Sequence, residues 1–186
     1  MTRETEPRIL LDDAGVNQTL GRLADDILSR GPADDLLLVG IRRRGVELAE
    51  RLADLLAART GQAISTGSLD ITLYRDDFAQ IGSLPVIGMT EIPGDITDKR
   101  IVIVDDVLYT GRTIRAALNE IADFGRPSSI ELCVLIDRGG RELPIQADFV
   151  GMSYPAEEGE HVEVRVPEQD GESCVRVVRI EGVSIE

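Results

Sequence analysis

Two adjacent carboxylates, Asp105 and Asp106, stand just ahead of the run Thr110-Gly111-Arg112-Thr113, and that spacing suits a phosphorylated sugar. Paired acids can accept hydrogen bonds from two neighbouring ribose hydroxyls. A turn of small residues, with hydroxyls and backbone N–H groups, can wrap a 5′-phosphate with help from the positive end of the helix it opens. Val107, Leu108 and Tyr109 form the spacer between the two functions. The competing reading is an ordinary strand–loop–helix junction, with Thr110 as N-cap and the acids solvated.

The elements that must position these residues are legible on either side. Ile101, Val102, Ile103 and Val104 form an apolar, mostly β-branched run that predicts a buried strand over 101–105. The pattern from Ile114 to Ile121 predicts a helix over 113–124, closed by Gly125 with Pro127 beyond it. In an open α/β sheet, ligands bind beyond the carboxyl ends of the strands, where the acids would then sit.

Three further stretches carry chemistry. Gly40-Ile-Arg-Arg-Arg-Gly45 lies between a predicted strand and helix and lacks the ending of a Walker A loop. Its arginines suit a diphosphate, which guanidinium groups bind bidentately, or they are three solvated surface residues. Residues 69–77 hold Asp70, Arg75, Asp76 and Asp77, and 78–99 are rich in glycine and proline, as in a flexible β-arm or lid or in a static hairpin. Asp137-Arg138-Gly139-Gly140-Arg141 follows another apolar run, on the same expected rim of the sheet, and taken by itself reads as a turn held by an Asp–Arg pair.

Elsewhere, Asp12 is a candidate N-cap for a helix in which Val16, Leu20, Leu23, Ala24 and Ile27 recur at helical spacing to about Arg30. A strand over 36–39 precedes a second helix carried by Val46, Leu48, Ala49, Leu52, Ala53, Leu55 and Leu56. Further strands are predicted over 68–74, 86–92, 130–136 and 147–150. Residues 162–166 and 174–180 predict a terminal hairpin across 167–173, with Gly171 as turn residue. The interleaving argues for an α/β fold in one domain, 1–186: a mainly parallel sheet with helices on both faces, flanked by antiparallel additions.

Composition bounds the function. Hydrophobic residues make up 42% and charged residues 29%, as in a globular chain. No apolar run approaches the ~20 residues that span a bilayer, and the acidic, polar start lacks the apolar segment of a signal peptide. The cytoplasm is therefore the default expectation. Cys133 and Cys174 are not spaced as metal ligands, and the single histidine, His161, is expected on the surface. The net charge of −14 argues against a generally adhesive nucleic-acid binder. Much of it is local: residues 156–186 hold nine acids and three arginines.

Residues 101–113 resemble the phosphoribosyl-diphosphate (PRPP) binding motif of type I phosphoribosyltransferases. Together with Gly40 to Gly45, residues 69–77, Gly125-Arg-Pro-Ser-Ser-Ile130 and Asp137-Arg-Gly-Gly-Arg-Glu-Leu-Pro144, they resemble the PyrR family of pyrimidine operon regulators and uracil phosphoribosyltransferases. The resemblance runs from about Leu11 to Gly151. It implies the type I phosphoribosyltransferase fold and conversion of uracil and PRPP to UMP and pyrophosphate, with Asp105 and Asp106 catalytic and Val107 to Thr113 binding PRPP. It also implies Arg43 and Arg44 on the pyrophosphate, Arg138 on the base, and a lid carrying Arg75, Asp76 and Asp77. Mg²⁺ would reach Asp105 and Asp106 directly or through water.

The same resemblance implies a homodimer or homotetramer, and binding of pyrimidine leader RNA tightened by uridine nucleotides. Three positions depart from the family's pattern: Gly21 and Asp25, where it has threonine and histidine, and Gly140, where it has histidine. These departures argue against RNA binding. The alternative is mainly a nucleotide-sensing RNA attenuator with little catalysis. A purine substrate also stays open.

Overall fold

The computed structural model describes residues 3–4, 6–71 and 89–181. In chain order the elements are β1 (Arg3–Glu4), β2 (Arg8–Leu11), α1 (Asp13–Arg30), β3 (Leu36–Ile41), α2 (Arg44–Thr60), β4 (Ser65–Leu69) and β5 (Arg100–Leu108). They continue with α3 (Arg112–Phe124), β6 (Ser129–Asp137), β7 (Phe149–Ser153), β8 (Glu160–Arg165), α4 (Pro167–Asp170) and β9 (Cys174–Glu181).

Helix α1 starts and faces as its pattern dictates. Asp12 caps it by accepting the Gly15 N–H at 2.8 Å, and Val16, Leu20, Leu23, Ala24 and Ile27 are its buried stripe. Helix α2 buries Leu48, Ala49, Leu52, Ala53 and Leu56 and stops at Gly61, which adopts φ +75°. The glycine relieves the strain any side chain would meet in that left-handed cap.

Strands β4-β3-β5-β6-β7, in that spatial order, pair in parallel throughout. The period of two sorts the central strands' side chains between two cores. Leu36, Leu38, Val102 and Val104 pack with α1 and α2, whereas Leu37, Val39, Ile101 and Ile103 pack with Ile114, Ala117 and Ile121 of α3. Helices therefore cover both faces, as predicted.

The chain leaves β3 for β4 in one direction and returns to β5, from which it builds outward the other way. The switch point thus lies between β3 and β5, and the crevice at their carboxyl ends is where such sheets take ligands.

Several boundaries differ from the sequence reading. Strand β5 continues past 105 to Leu108, because Val107 and Leu108 pair with Ile136 and Asp137 of β6. The acids are therefore inside the strand. Strand β4 ends at Leu69, and 72–88 lie outside the described residues. Of the strand expected over 86–92, the described part, 89–92, forms only an isolated bridge from Glu91 to Ser68. Strand β7 is shifted to Phe149–Ser153.

The antiparallel additions form a second, smaller sheet, which includes the expected terminal hairpin of β8 and β9. In it β9 lies between β8 on one edge and β2 and β1 on the other. The hairpin link contains α4, with Gly171 at φ +73° closing it. Val164, Val166 and Val175 carry this sheet into the α1–α2 core. Among the described residues, no helix is long and apolar enough to cross a membrane.

Candidate functional site

The carboxyl end of β5, the start of α2 and the second sheet with its α4 link line a cavity of about 480 Å³. Its floor is Asp105 to Gly111 with Thr113. Arg44 and Arg138 stand at its sides, Glu163, Arg165 and Arg176 reach in from the second sheet, and Asp170 from its α4 link.

Asp105 is buried and Asp106 half-buried. Each carboxylate is oriented by the next peptide: Asp106 N–H donates to Asp105 Oδ1 at 3.0 Å, and Val107 N–H donates to Asp106 Oδ1 at 2.8 Å. Neighbouring residues on a strand normally point to opposite faces. Here the alternation changes phase: Val107, like Val104, belongs to the α1–α2 side, and Leu108 joins the α3 side. Both acids line the one cavity.

The turn after β5 is built for backbone donors. Gly111 adopts φ +93° as N-cap of α3, and the buried Thr110 hydroxyl accepts the Arg112 N–H at 3.2 Å. The Thr110 carbonyl in turn holds Glu142 N–H at 3.0 Å and Leu143 N–H at 3.2 Å. Thr113 faces the cavity, but the Arg112 guanidinium turns outward to Glu142, with Nε 2.8 Å from Oε2. Of Arg112, the backbone rather than the side chain belongs to this turn.

The loop after β3 separates its arginines. Arg44, the first residue of α2, lines the cavity, while Arg43 is exposed and outside that lining. Arg42 reaches Ser68 at 3.3 Å. Arg44 is gripped by Asp170, Nε to Oδ2 at 3.1 Å and Nη2 to Oδ1 at 3.0 Å. That hydrogen-bonded pair raises the Arg44 pKa above its ordinary value against the opposing effect of burial, with Asp106, Asp170 and Glu163 adding attraction. The Arg44 guanidinium correspondingly holds the Asp170 carboxyl below the usual carboxylate range, again against desolvation.

At the other end, the Arg138 guanidinium lies 4.0 Å from the centroid of the Tyr109 ring and donates to the Glu160 carbonyl at 3.1 Å. Its Nε is buried without a protein partner. The Asp–Arg pair that holds this turn is Asp137–Arg141, at 2.6 Å, which leaves Arg138 for the cavity. Gly139 and Gly140 both adopt positive φ, and a Cβ on Gly140 would overlap the Tyr109 ring. The glycine pair lets the chain fold beneath that ring. Gly140, a departure from the family's pattern, thus has a local packing reason.

Arg75, Asp76 and Asp77 lie outside the described residues. His161 is exposed, as expected. Burial raises the Cys133 thiol to about 12, so it packs as a small apolar group. The sequence reading missed Glu163, Arg165, Asp170 and Arg176. The signal was there: Glu163 and Arg165 are two apart on β8, and Arg176 of β9 pairs opposite Glu163, so all three share a face. That face reads as solvated in an acidic tail, yet it closes the cavity.

The fold and this cavity define the class. A family model for the phosphoribosyl transferase domain matches residues 9–169. The solved hypoxanthine phosphoribosyltransferase of Trypanosoma cruzi is similar over 94% of this chain and 97% of its own, with TM-score 0.69 at 19% identity, a likeness of fold.

The nearer relatives carry one name. Proteins called bifunctional protein PyrR are 49% identical in Elusimicrobium minutum, over 92% of this chain and 96% of theirs, and 53% identical in Chloroflexus aurantiacus, over 94% and 96%. The chain belongs to the PyrR family of phosphoribosyltransferases.

Proposed function

We propose that this chain transfers the phosphoribosyl group of PRPP to uracil, giving UMP and pyrophosphate. The observation that carries the reading is the cavity at the β3–β5 switch point. It joins paired acids, a turn of backbone donors, Arg44, and the Arg138–Tyr109 stack.

Asp105 and Asp106 hold the ribose hydroxyls and stabilise the positive charge that develops at the anomeric carbon as the diphosphate leaves. The turn from Thr110 to Thr113 holds the 5′-phosphate, and Arg44 the diphosphate. The unpartnered Arg138 Nε suits a uracil carbonyl, with Tyr109 fixing the guanidinium plane. No covalent nucleophile is needed, since positioning two substrates within reacting distance supplies much of the acceleration.

Among the described residues no three histidine, cysteine or acidic side chains are grouped to hold a metal. The two cavity acids fit the sparser demand of Mg²⁺, commonly held by one or two carboxylates with phosphates and water. Asp105 and Asp106 would be those carboxylates, directly or through water. The ion, when bound, supplies positive charge to the departing diphosphate.

The test is pyrophosphate release from PRPP and Mg²⁺ with uracil, against hypoxanthine, guanine, orotate and no base. Release with uracil alone is expected. No release with any base, while PRPP or UMP still binds, would leave the regulator reading as the better account, and release without a base would be hydrolysis of PRPP rather than transfer. A narrower outcome concerns the base: Arg138→Gln should raise the KM for uracil about tenfold, as expected for a hydrogen bond to a charged group, and leave the KM for PRPP nearly unchanged.

Leader-RNA binding is proposed to be weak. The α1 face that carries Gly21 and Asp25 spends its cations internally. Arg59 pairs with Asp25 at 2.5 Å and donates to the Gly21 carbonyl at 3.0 Å, while Arg22 pairs with Asp26 at 3.3 Å. A gel shift with pyrimidine leader RNA at fixed salt checks this, and tight, UMP-enhanced binding would sink it. The chain is further proposed to act in the cytoplasm as a homodimer or homotetramer. Its second sheet is proposed to belong to the same domain, since Val164, Val166 and Val175 share the α1–α2 core.

A further inference from the structure

Asp170 has no counterpart in the reaction just described, yet it occupies the cation that the diphosphate requires. It comes from α4, the link between β8 and β9, and its two oxygens meet Nε and Nη2 of Arg44 at 3.1 and 3.0 Å. That side-on, two-point grip is the one a guanidinium offers to a pair of phosphate oxygens. The carboxylate is largely shielded, its side chain 11% exposed against 33% for Arg44. Two more contacts define its freedom. Oδ2 also accepts the Val166 N–H at 2.9 Å, and Oδ1 lies 4.0 Å from Nη2 of Arg165, which lines the same cavity.

We propose that Asp170 is a positioning residue that stands in for the diphosphate on Arg44, yields to it when substrate binds, and is received by Arg165. The inference rests on the reading of Arg44 as the diphosphate contact.

A shielded carboxylate stripped of its partner is costly, so displacement needs a second cation within reach. Arg165 is that cation, and its other partner, Glu172 at 3.0 Å, is half exposed and readily released to water. The Val166 N–H keeps Asp170 tethered during the exchange. Before substrate arrives, Asp170 holds the Arg44 fork extended into the cavity, so ordering that long side chain is not charged to binding. The exchange also sets a threshold. Diphosphate, with several charges and paired oxygens, can compete with a carboxylate already in place, whereas single inorganic phosphate competes poorly. Asp170 thereby makes the subsite selective for diphosphate.

The experiment is calorimetric titration of the full chain with inorganic pyrophosphate and, separately, inorganic phosphate, in Mg²⁺. Wild type is compared with Asp170→Asn, Arg165→Gln and the double variant. Asparagine keeps an oxygen for the Val166 N–H but turns a donor toward Arg44. Asp170→Ser, which keeps a hydroxyl acceptor, replaces it should the asparagine variant misfold.

Asp170→Asn is expected to bind pyrophosphate about tenfold more tightly, the size of one charged hydrogen bond, and to gain measurable affinity for phosphate. Its KM for PRPP should fall by a similar factor while the KM for uracil stays put, a split that a merely structural role would not produce. Arg165→Gln should weaken pyrophosphate binding in the wild-type background and have no effect beside Asp170→Asn.

A folded Asp170 variant that binds pyrophosphate no more tightly than wild type overturns the proposal. So does an Arg165→Gln effect of equal size in both backgrounds, which would make Arg165 a direct ligand. Uracil-dependent pyrophosphate release that persists alongside either result leaves the transferase reading intact. Absence of both release and pyrophosphate binding overturns the two together.

Discussion

Replacing Asp105 and Asp106 together by asparagine is expected to lower kcat for uracil-dependent pyrophosphate release by at least about a hundredfold, the scale of losing a preorganised electrostatic group. The fold should survive. Each carboxylate accepts the N–H of the residue after it through a single oxygen, and the asparagine carbonyl can keep that bond. The substitution removes charge while leaving geometry. Binding of UMP should fall much less than kcat, because the hydroxyls of a ground-state ribose can still be bonded, whereas the positive charge of the transition state loses its partner. Stopped-assay rates with equilibrium binding of UMP on the same preparation measure the two quantities. Equal loss of both would mean that the acids only bind.

Most of the parallel sheet was legible because its signals are local. The apolar run from Ile101 to Val104 lies at the centre of the sheet, and the five apolar positions predicted on α1 are its buried ones. The Thr110-Gly111-Arg112-Thr113 turn was legible for the same reason: small residues, hydroxyls and a helix start fall within four positions. Strand ends were less so, since β5 is lengthened to Leu108 by pairing with β6, which no property of Val107 or Leu108 announces.

The roof of the cavity was illegible for a different reason. Its contribution comes from residues more than fifty positions after the acids, in a stretch whose net charge points to solvent. Alternation on β8 gives the face but not what it faces. Two of the three arginines in residues 156–186, Arg165 and Arg176, line the cavity, so the mean charge of a segment misjudged its working face. Arg112 shows the converse. Its place in the motif says nothing of where its side chain goes, and Glu142, thirty residues on, turns that side chain outward.

The second large effect lies where a motif glycine meets the sheet. A Cβ on Gly45 would stand 2.5 Å from the Val104 carbonyl oxygen and 3.4 Å from Asp105 Cα, both backbone atoms of β5. The first turn of α2 can approach the acids this closely only without a side chain there. Gly45→Ala therefore forces α2 away from β5, an overpacking expected to cost about 1–3 kcal/mol.

The larger consequence is positional, because Arg44 is the preceding residue and moves with the helix. A displacement near 1 Å can cost ~100-fold in rate, so kcat/KM for PRPP should fall by about that factor. Gly61→Ala supplies the control. Gly61 caps the other end of α2 at φ +75° in open space, so alanine there costs stability through backbone strain alone, about 1 kcal/mol. Thermal melts and steady-state kinetics on both variants separate the effects: Gly61→Ala should melt earlier with its kinetics intact, while Gly45→Ala loses both. If the two variants lost activity only in proportion to stability, close approach of α2 to β5 would serve packing rather than the placement of Arg44.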